Sequence, residues 1–417
     1  MEPFEQLKKI MADKLKSPTV FFSAKDNDVL SGLALWRRAH DRRHELRDEG
    51  YKKGDLYFCE KPNGFEFLVD LVACIVGQYR FFPCHSLTPE EKQKSIKMAE
   101  TNPEISVFLA TGGTISRKIV GLSETVLIHQ MEVHSKILNL KPEEPRLCTL
   151  PWTHSFGFVL DLLLGIYNQQ TLIISRNSSA QEILKCVENY QIQHLACVPR
   201  VLEALRQRNQ NTDLSQVQVH FGGAYLSKDT LDWGKTALKE IIEGYGLTEA
   251  GPGVLMDGRP AGCEVLLRPS KFNQLQELWV KTHYPCFWNN KITCEEGFFN
   301  TSDLAVQIND KILIKGRDSD LIKTTNGQWI SRFDLNNEIK TALGSNYVDY
   351  DPVKQIVKTV VSNQNSYTHI DSQKKIKKIL GFEIHIEIFQ ADNEFWKSVS
   401  ESRKKSIEDH LKDLKVA

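Results

Sequence analysis

The chain has 417 residues, 41% of them apolar and 25% charged, and its formal net charge is zero. That length predicts about two or three structural units of ordinary globular composition, and the balanced charge gives no global pull toward nucleic acid or an anionic membrane surface. Nine cysteines are scattered without metal-ligand spacing, and their odd number fits reduced thiols in a cytoplasmic protein better than a disulfide framework.

Residues 1–16 are charged and lack the apolar core of a signal peptide. The longest apolar run, 67–76, is too short to cross a bilayer and contains Asp70, so no membrane span is expected. Positions 29–49 carry apolar residues at helical spacing among many charges, which predicts a surface helix. Residues 55–60 read as a strand, 66–79 as a buried helix and 79–83 as a second strand. Strand, helix, strand predicts a parallel α/β layer.

The pattern then repeats. A strand at 106–110 stops at Thr111-Gly112-Gly113-Thr114, and a β-rich run covers 171–175. A helix at 182–192 precedes a strand at 194–198, and a strand at 217–221 stops at Gly222-Gly223. The expected fold class is α/β, with a large domain of mainly parallel sheets covered by helices. From about residue 261 short strands dominate, including 277–281 and 311–314, which predicts a β-rich subdomain. After 315 the composition shifts toward Lys, Asn and Ser; 366–378 is polar and basic, and 394–414 reads as an amphipathic helix. The expected organisation is a large domain over 1–315 and a small α+β domain over 316–417, without internal repeats.

Five segments carry residue types suited to chemistry. Thr111-Gly112-Gly113-Thr114-Ile115-Ser116-Arg117-Lys118 follows a strand and combines glycines, hydroxyls and a lysine, the donors that wrap a phosphate. It lacks the Gly-Lys-Ser/Thr ending of a Walker loop. Gly222-Gly223-Ala224 is small enough to admit a flat ring against the main chain. Gly244-Tyr245-Gly246-Leu247-Thr248-Glu249 offers an aromatic face, a hydroxyl and a carboxylate, and Glu249 is a natural Mg²⁺ ligand beside a phosphate. Asp303 in Phe299-Asn300-Thr301-Ser302-Asp303 can accept both hydroxyls of a ribose, with Arg317 beyond the next strand to reach the same sugar or a phosphate. His154 in Leu150-Pro151-Trp152-Thr153-His154-Ser155-Phe156-Gly157 is placed to line a pocket. Taken alone, each segment also reads as a plain turn or core position.

Taken in order, the segments resemble the adenylate-forming superfamily of acyl-CoA synthetases, peptide-synthetase adenylation domains and luciferases. Residues 111–118 resemble its phosphate loop, 150–157 its proline–histidine–glycine segment and 222–224 its Gly-Gly-Ala element. Residues 245–249 match its Tyr-Gly-x-Thr-Glu signature, 299–303 resemble its Thr-Gly-Asp element, and 316–323 its Gly-Arg-x-x-Asp-x-Ile-Lys hinge. The resemblance covers roughly residues 30–340. The chain departs from the family at Gly112 and Ile115, at Ser302 beside Asp303, and at the hinge residue Ser319. No convincing match to the C-terminal lysine motif is present, and Lys374, Lys375, Lys377 and Lys378 offer the nearest basic run.

The resemblance implies ATP-dependent activation of a carboxylic acid as an acyl-adenylate, then transfer to a thiol of coenzyme A or of a carrier protein's phosphopantetheine. It implies that Thr111, Gly112, Gly113, Thr114 and Lys118 hold phosphates, that Thr248 meets the α-phosphate, and that Glu249 holds Mg²⁺. Gly222, Gly223, Ala224, Tyr245 and Gly246 would frame adenine, Asp303 and Arg317 the ribose, and His154 the acid. Residues 154–159 carry no aspartate to pair an α-amino group, so an aryl or fatty acid is expected rather than an amino acid. The alternative class is a nucleotide-binding or scaffold protein that retains the fold without turnover.

Overall fold

The computed structural model describes residues 3–16, 19–111, 118–272, 275–284, 286–288, 294–317, 321–323, 329–331, 347–351, 356–362 and 385–391. The expected helix at 394–414, the hinge residue Ser319 and the basic run at 374–378 lie outside these residues.

A nine-stranded sheet runs in the order Arg259–Pro260, Gly253–Met256, Glu240–Gly246, Gln218–Gly222, His194–Cys197, Pro145–Cys148, Thr171–Ile174, Val20–Ser23 and Val29–Ser31. From Glu240–Gly246 to Val20–Ser23 every neighbour is parallel, and antiparallel strands close both ends. A second sheet runs Cys286–Trp288, Ile119–Ser123, Ile105–Ala110, Arg80–Pro83 and Leu56–Cys59. Its last three strands are parallel, as the strand–helix–strand pattern predicts. The third sheet, in the order Cys263–Pro269, Gln276–Thr282, Phe298–Ile308 and Cys294–Glu295, carries Lys311–Arg317 on Phe298–Ile308 and supplies the expected β-rich part.

The expected α/β class is the observed one, and local chemistry explains where elements begin and end. The stretch read as one helix over 29–49 divides into the strand Val29–Ser31 and the helix Gly32–Asp48. Ser31 makes the break, because its side chain accepts from Ala34 N at 3.2 Å and caps the helix. The helix Phe65–Gly77 is buried nearly throughout and ends at Gln78, which adopts the left-handed conformation. Further helices cover Glu5–Lys14, Pro89–Thr101, Glu124–Ile137, Ala180–Tyr190, Pro199–Arg208 and Lys228–Ala237. Thr88 and Glu91 form a capping box at Pro89–Thr101.

The chain divides by contacts into two compact units. One holds residues 1–266, 279–301 and 307–313; the other holds 267–278, 302–306 and 314–417. In the first unit an aromatic cluster supports the segment around His154. Phe67 packs on Phe81 at 5.5 Å and on Trp152 at 5.1 Å, and Phe81 stacks on Phe158 at 6.0 Å between ring centroids. All four rings are fully buried. Contacts of this kind add to the area they remove from water, so the backbone at 152–158 rests on a rigid floor. No helix among the described residues is long and apolar enough to cross a membrane. The nine cysteines are free thiols, and seven are buried.

Candidate active site

Three loops of the first unit converge at the C-terminal ends of its parallel strands, where α/β sheets bind ligands. Gln218–Gly222 leads into Gly223-Ala224, and Glu240–Gly246 leads into a 3₁₀ turn at Thr248–Ala250. Pro145–Cys148 leads to the short helix Ser155–Gly157, and His154 is the residue just before it. A cavity of about 180 Å³ lies between them. Its wall includes His154, Gly222, Gly223, Tyr245, Gly246 and Thr248, together with Ser155, Phe156, His134 and His220.

Thr248 is fixed from outside its own loop. Its hydroxyl shares a hydrogen bond with the Ser155 hydroxyl at 2.9 Å, across 93 residues of sequence. Asn63 secures the segment that carries Ser155. Its side chain donates to Leu150 O at 2.8 Å and accepts from Trp152 N at 3.0 Å, while its carbonyl takes Arg176 Nε at 2.7 Å. Gln130 secures the turn behind Glu249, donating to Ala250 O at 3.3 Å and to Gly253 O at 3.1 Å and accepting from Gly253 N at 3.2 Å.

Glu249 is 8% exposed. Lys118 Nζ stands 3.6 Å from its Oε1. Lys118 and Thr111 form the base of the loop read as phosphate-binding, where Thr111 N donates to Lys118 O at 2.9 Å. That loop joins two antiparallel strands, Ile105–Ala110 and Ile119–Ser123, so Lys118 is carried back alongside the strand that starts it. Gly112, Gly113 and Thr114 lie outside the described residues. Gly222 ends its strand rather than following it, and any Cβ there would press on the Gly244 carbonyl of the neighbouring strand. Gly223 is exposed with φ +84°, and Ala224 is exposed beside it.

Asp303 and Arg317 belong to the second unit. Both lie within strands, Phe298–Ile308 and Lys311–Arg317, so Arg317 ends its strand instead of following it. Arg317 Nε meets Asp303 Oδ1 at 3.3 Å, the arginine two-thirds exposed and the carboxylate 13% exposed.

The sequence reading gave no role to Ser155, Asn63, Gln130, His134 or His220. A lone histidine in a helix or strand looks like a core residue, and Asn63 sits 89 residues from the backbone it holds. Burial pushes His134 down to about 4 and His220 down to about 3, so both rings are neutral at physiological pH.

The family model described as AMP-binding enzyme matches residues 88–270. Across those residues the chain is similar to the AMP-binding enzymes of the adenylate-forming superfamily. It is 26% identical over 256 residues to a probable CoA ligase of Humulus lupulus, covering 53% of this chain and 46% of that protein. It is 26% identical over 271 residues to a 4-coumarate–CoA ligase-like protein of Oryza sativa subsp. japonica, covering 57% and 49%. The chain therefore spans about half the length of the curated relatives it matches. Among solved structures, O-succinylbenzoate coenzyme A synthetase of Bacillus subtilis in complex with AMP superposes with a TM-score of 0.78 at 14% identity, covering 98% of both chains. ATP-bound MatB of Rhodopseudomonas palustris gives 0.78 at 16% identity, covering 93% of this chain and 95% of that one. These two likenesses are likenesses of fold.

Proposed function

We propose that this chain activates a carboxylic acid with ATP and passes the acyl group to a thiol of coenzyme A or of an acyl carrier protein. In the first step a carboxylate oxygen bonds to the α-phosphorus and the bond to pyrophosphate breaks. In the second a thiolate attacks the acyl carbon and AMP leaves. The single observation that carries the reading is the Thr248 hydroxyl, held by Ser155 at the wall of a cavity that His154 also lines.

The first step brings two anions together, so catalysis consists of positioning and charge stabilisation. Thr248 is the donor toward the α-phosphate, and its hydroxyl is oriented before substrate arrives. Lys118 is the cation for the β- and γ-phosphates, with Thr111, Gly112, Gly113 and Thr114 completing that loop. Gly223, Ala224 and Tyr245 frame adenine. Asp303 and Arg317 retain the ribose role as a separate proposal. Glu249 fits a magnesium ion, since it presents a little-exposed carboxylate beside the loop base, and this metal takes few protein ligands. Bound Mg²⁺ would neutralise phosphate charge. The ammonium of Lys118, 3.6 Å from Glu249, must then turn from the carboxylate to the phosphates.

Two similarities support the reading: the CoA ligases among the relatives, and the AMP or ATP bound in structures of the same fold. Exchange of labelled pyrophosphate into ATP, dependent on added acid, tests it. Nucleotide binding without exchange for any acid would favour the scaffold alternative.

A further inference from the structure

We infer that the acid accepted by this cavity carries a neutral hydroxyl group on its acyl chain, and that His134 and His220 receive it. The inference rests on the activation reading, because it assigns the cavity to the acyl group. His134 is fully buried on the helix Glu124–Ile137. Its Nδ1 stands 2.8 Å from Gln130 O, so that nitrogen carries the proton and Nε2 is left as an acceptor. Nε2 has no hydrogen-bond partner. It lies against Gly253, which forms the same cavity wall, and a side chain at Gly253 would collide with it.

His220, on the strand Gln218–Gly222, also carries an unpaired ring nitrogen. It is 5% exposed, Nδ1 has no partner, and Nε2 abuts Gly244 of the cavity wall. Its ring packs edge-on against Phe156 at 5.0 Å, so the apolar and polar faces of the wall adjoin.

A buried imidazole nitrogen left unpaired is costly, and two such rings lining one cavity mark a place where a ligand group completes the bonding. The alternatives differ in charge. A second carboxylate needs a cation or donors, and among the described lining residues there is neither Lys nor Arg. A purely hydrocarbon chain leaves both nitrogens unpaired. A hydroxyl donates its one proton to His134 Nε2 and accepts from the N–H of His220, and the neutral state of both rings suits an uncharged group.

The test uses pairs of acids of equal length, each with a terminal hydroxyl in one member and a methyl or hydrogen in the other. Calorimetry measures binding, and pyrophosphate exchange measures activation separately. The expected result is binding of the hydroxylated member at least about tenfold tighter. In His134→Phe the ratio falls to about one, and His134→Gln, which retains an acceptor, recovers part of it. Thermal melting of each variant establishes folding, and His220→Phe gives a second, independent loss of discrimination. In ¹⁵N-histidine spectra the His134 Nε2 resonance shifts with the hydroxylated acid and not with its partner. Exchange with equal affinity for both members would overturn the hydroxyl assignment while supporting activation. Discrimination without exchange would support the assignment and contradict activation. Absence of both would overturn both.

Discussion

The hydroxyls of Ser155 and Thr248 stand 2.9 Å apart, joining the segment after Pro145–Cys148 to the turn after Glu240–Gly246. A threonine hydroxyl rotates freely unless a partner fixes it. Ser155 supplies that partner from a backbone pinned by Asn63 and supported by Trp152. Ser155→Ala should therefore lower kcat for ATP–pyrophosphate exchange about tenfold, equivalent to about 1.4 kcal/mol, with little change in KM for ATP. Ser155→Thr should recover part of the rate. A pure rise in KM, or no recovery with threonine, would mean that Ser155 does not orient Thr248.

Glu249 is predicted to serve the metal rather than the nucleotide. Glu249→Gln keeps the shape and removes the charge. It should abolish most MgATP turnover while leaving AMP affinity, read by calorimetry, within about threefold. An equal loss of AMP affinity would assign Glu249 a structural role instead.

The buried imidazoles make stability depend on pH in a defined direction. His134 and His220 are neutral in the fold, held down to about 4 and about 3 by burial, whereas an unfolded histidine titrates near 6.5. Below about 6.5 the unfolded chain binds more protons, so this stability is present above 6.5 and lost as pH falls toward 4. Each ring contributes up to about 1.4 kcal/mol per pH unit. His194, lowered to about 4, acts in the same sense. Asp161, raised to about 6 by burial beside Arg146, acts oppositely between about 4 and 6. Urea unfolding should show stability falling from pH 6.5 to 5, with a smaller slope in His220→Asn. A slope unchanged by that substitution would show that His220 is not buried neutral.

Gly253 is predicted to be intolerant of any side chain. An added Cβ would collide with the His134 ring and with Gln130 Oε1, both held by their own hydrogen bonds. Gly253→Ala should cost about 1–3 kcal/mol in denaturant unfolding. A cost near zero would mean that His134 and Gln130 can move aside, and that the cavity wall is softer than its hydrogen bonds imply.

Much of the fold was legible in short-range pattern. The apolar run that becomes Phe65–Gly77 and the run ending at Gly222 are where hydrophobicity and glycine punctuation locate them. The division at Ser31 escaped the reading because a capping serine inside a helix-like pattern looks like one more polar position. The strand read as 311–314 continues through Gly316 to Arg317. The site was legible wherever a motif is contiguous, as in Tyr245 to Glu249. It was opaque where two distant residues complete each other, as Ser155 does Thr248 and Gln130 does Gly253. The pairing of Lys118 with Glu249 depends on the chain turning back between Ile105–Ala110 and Ile119–Ser123, which no local spacing records.

The central claim is that this chain makes an acyl-adenylate at the cavity between Thr248 and His154. The most direct measurement is incorporation of labelled pyrophosphate into ATP in the presence of Mg²⁺ and a panel of carboxylic acids, with Thr248→Ala alongside. The account predicts exchange that requires an acid and falls by about a hundredfold or more in the variant. Absence of exchange with every acid, from protein that binds ATP by calorimetry, would contradict it.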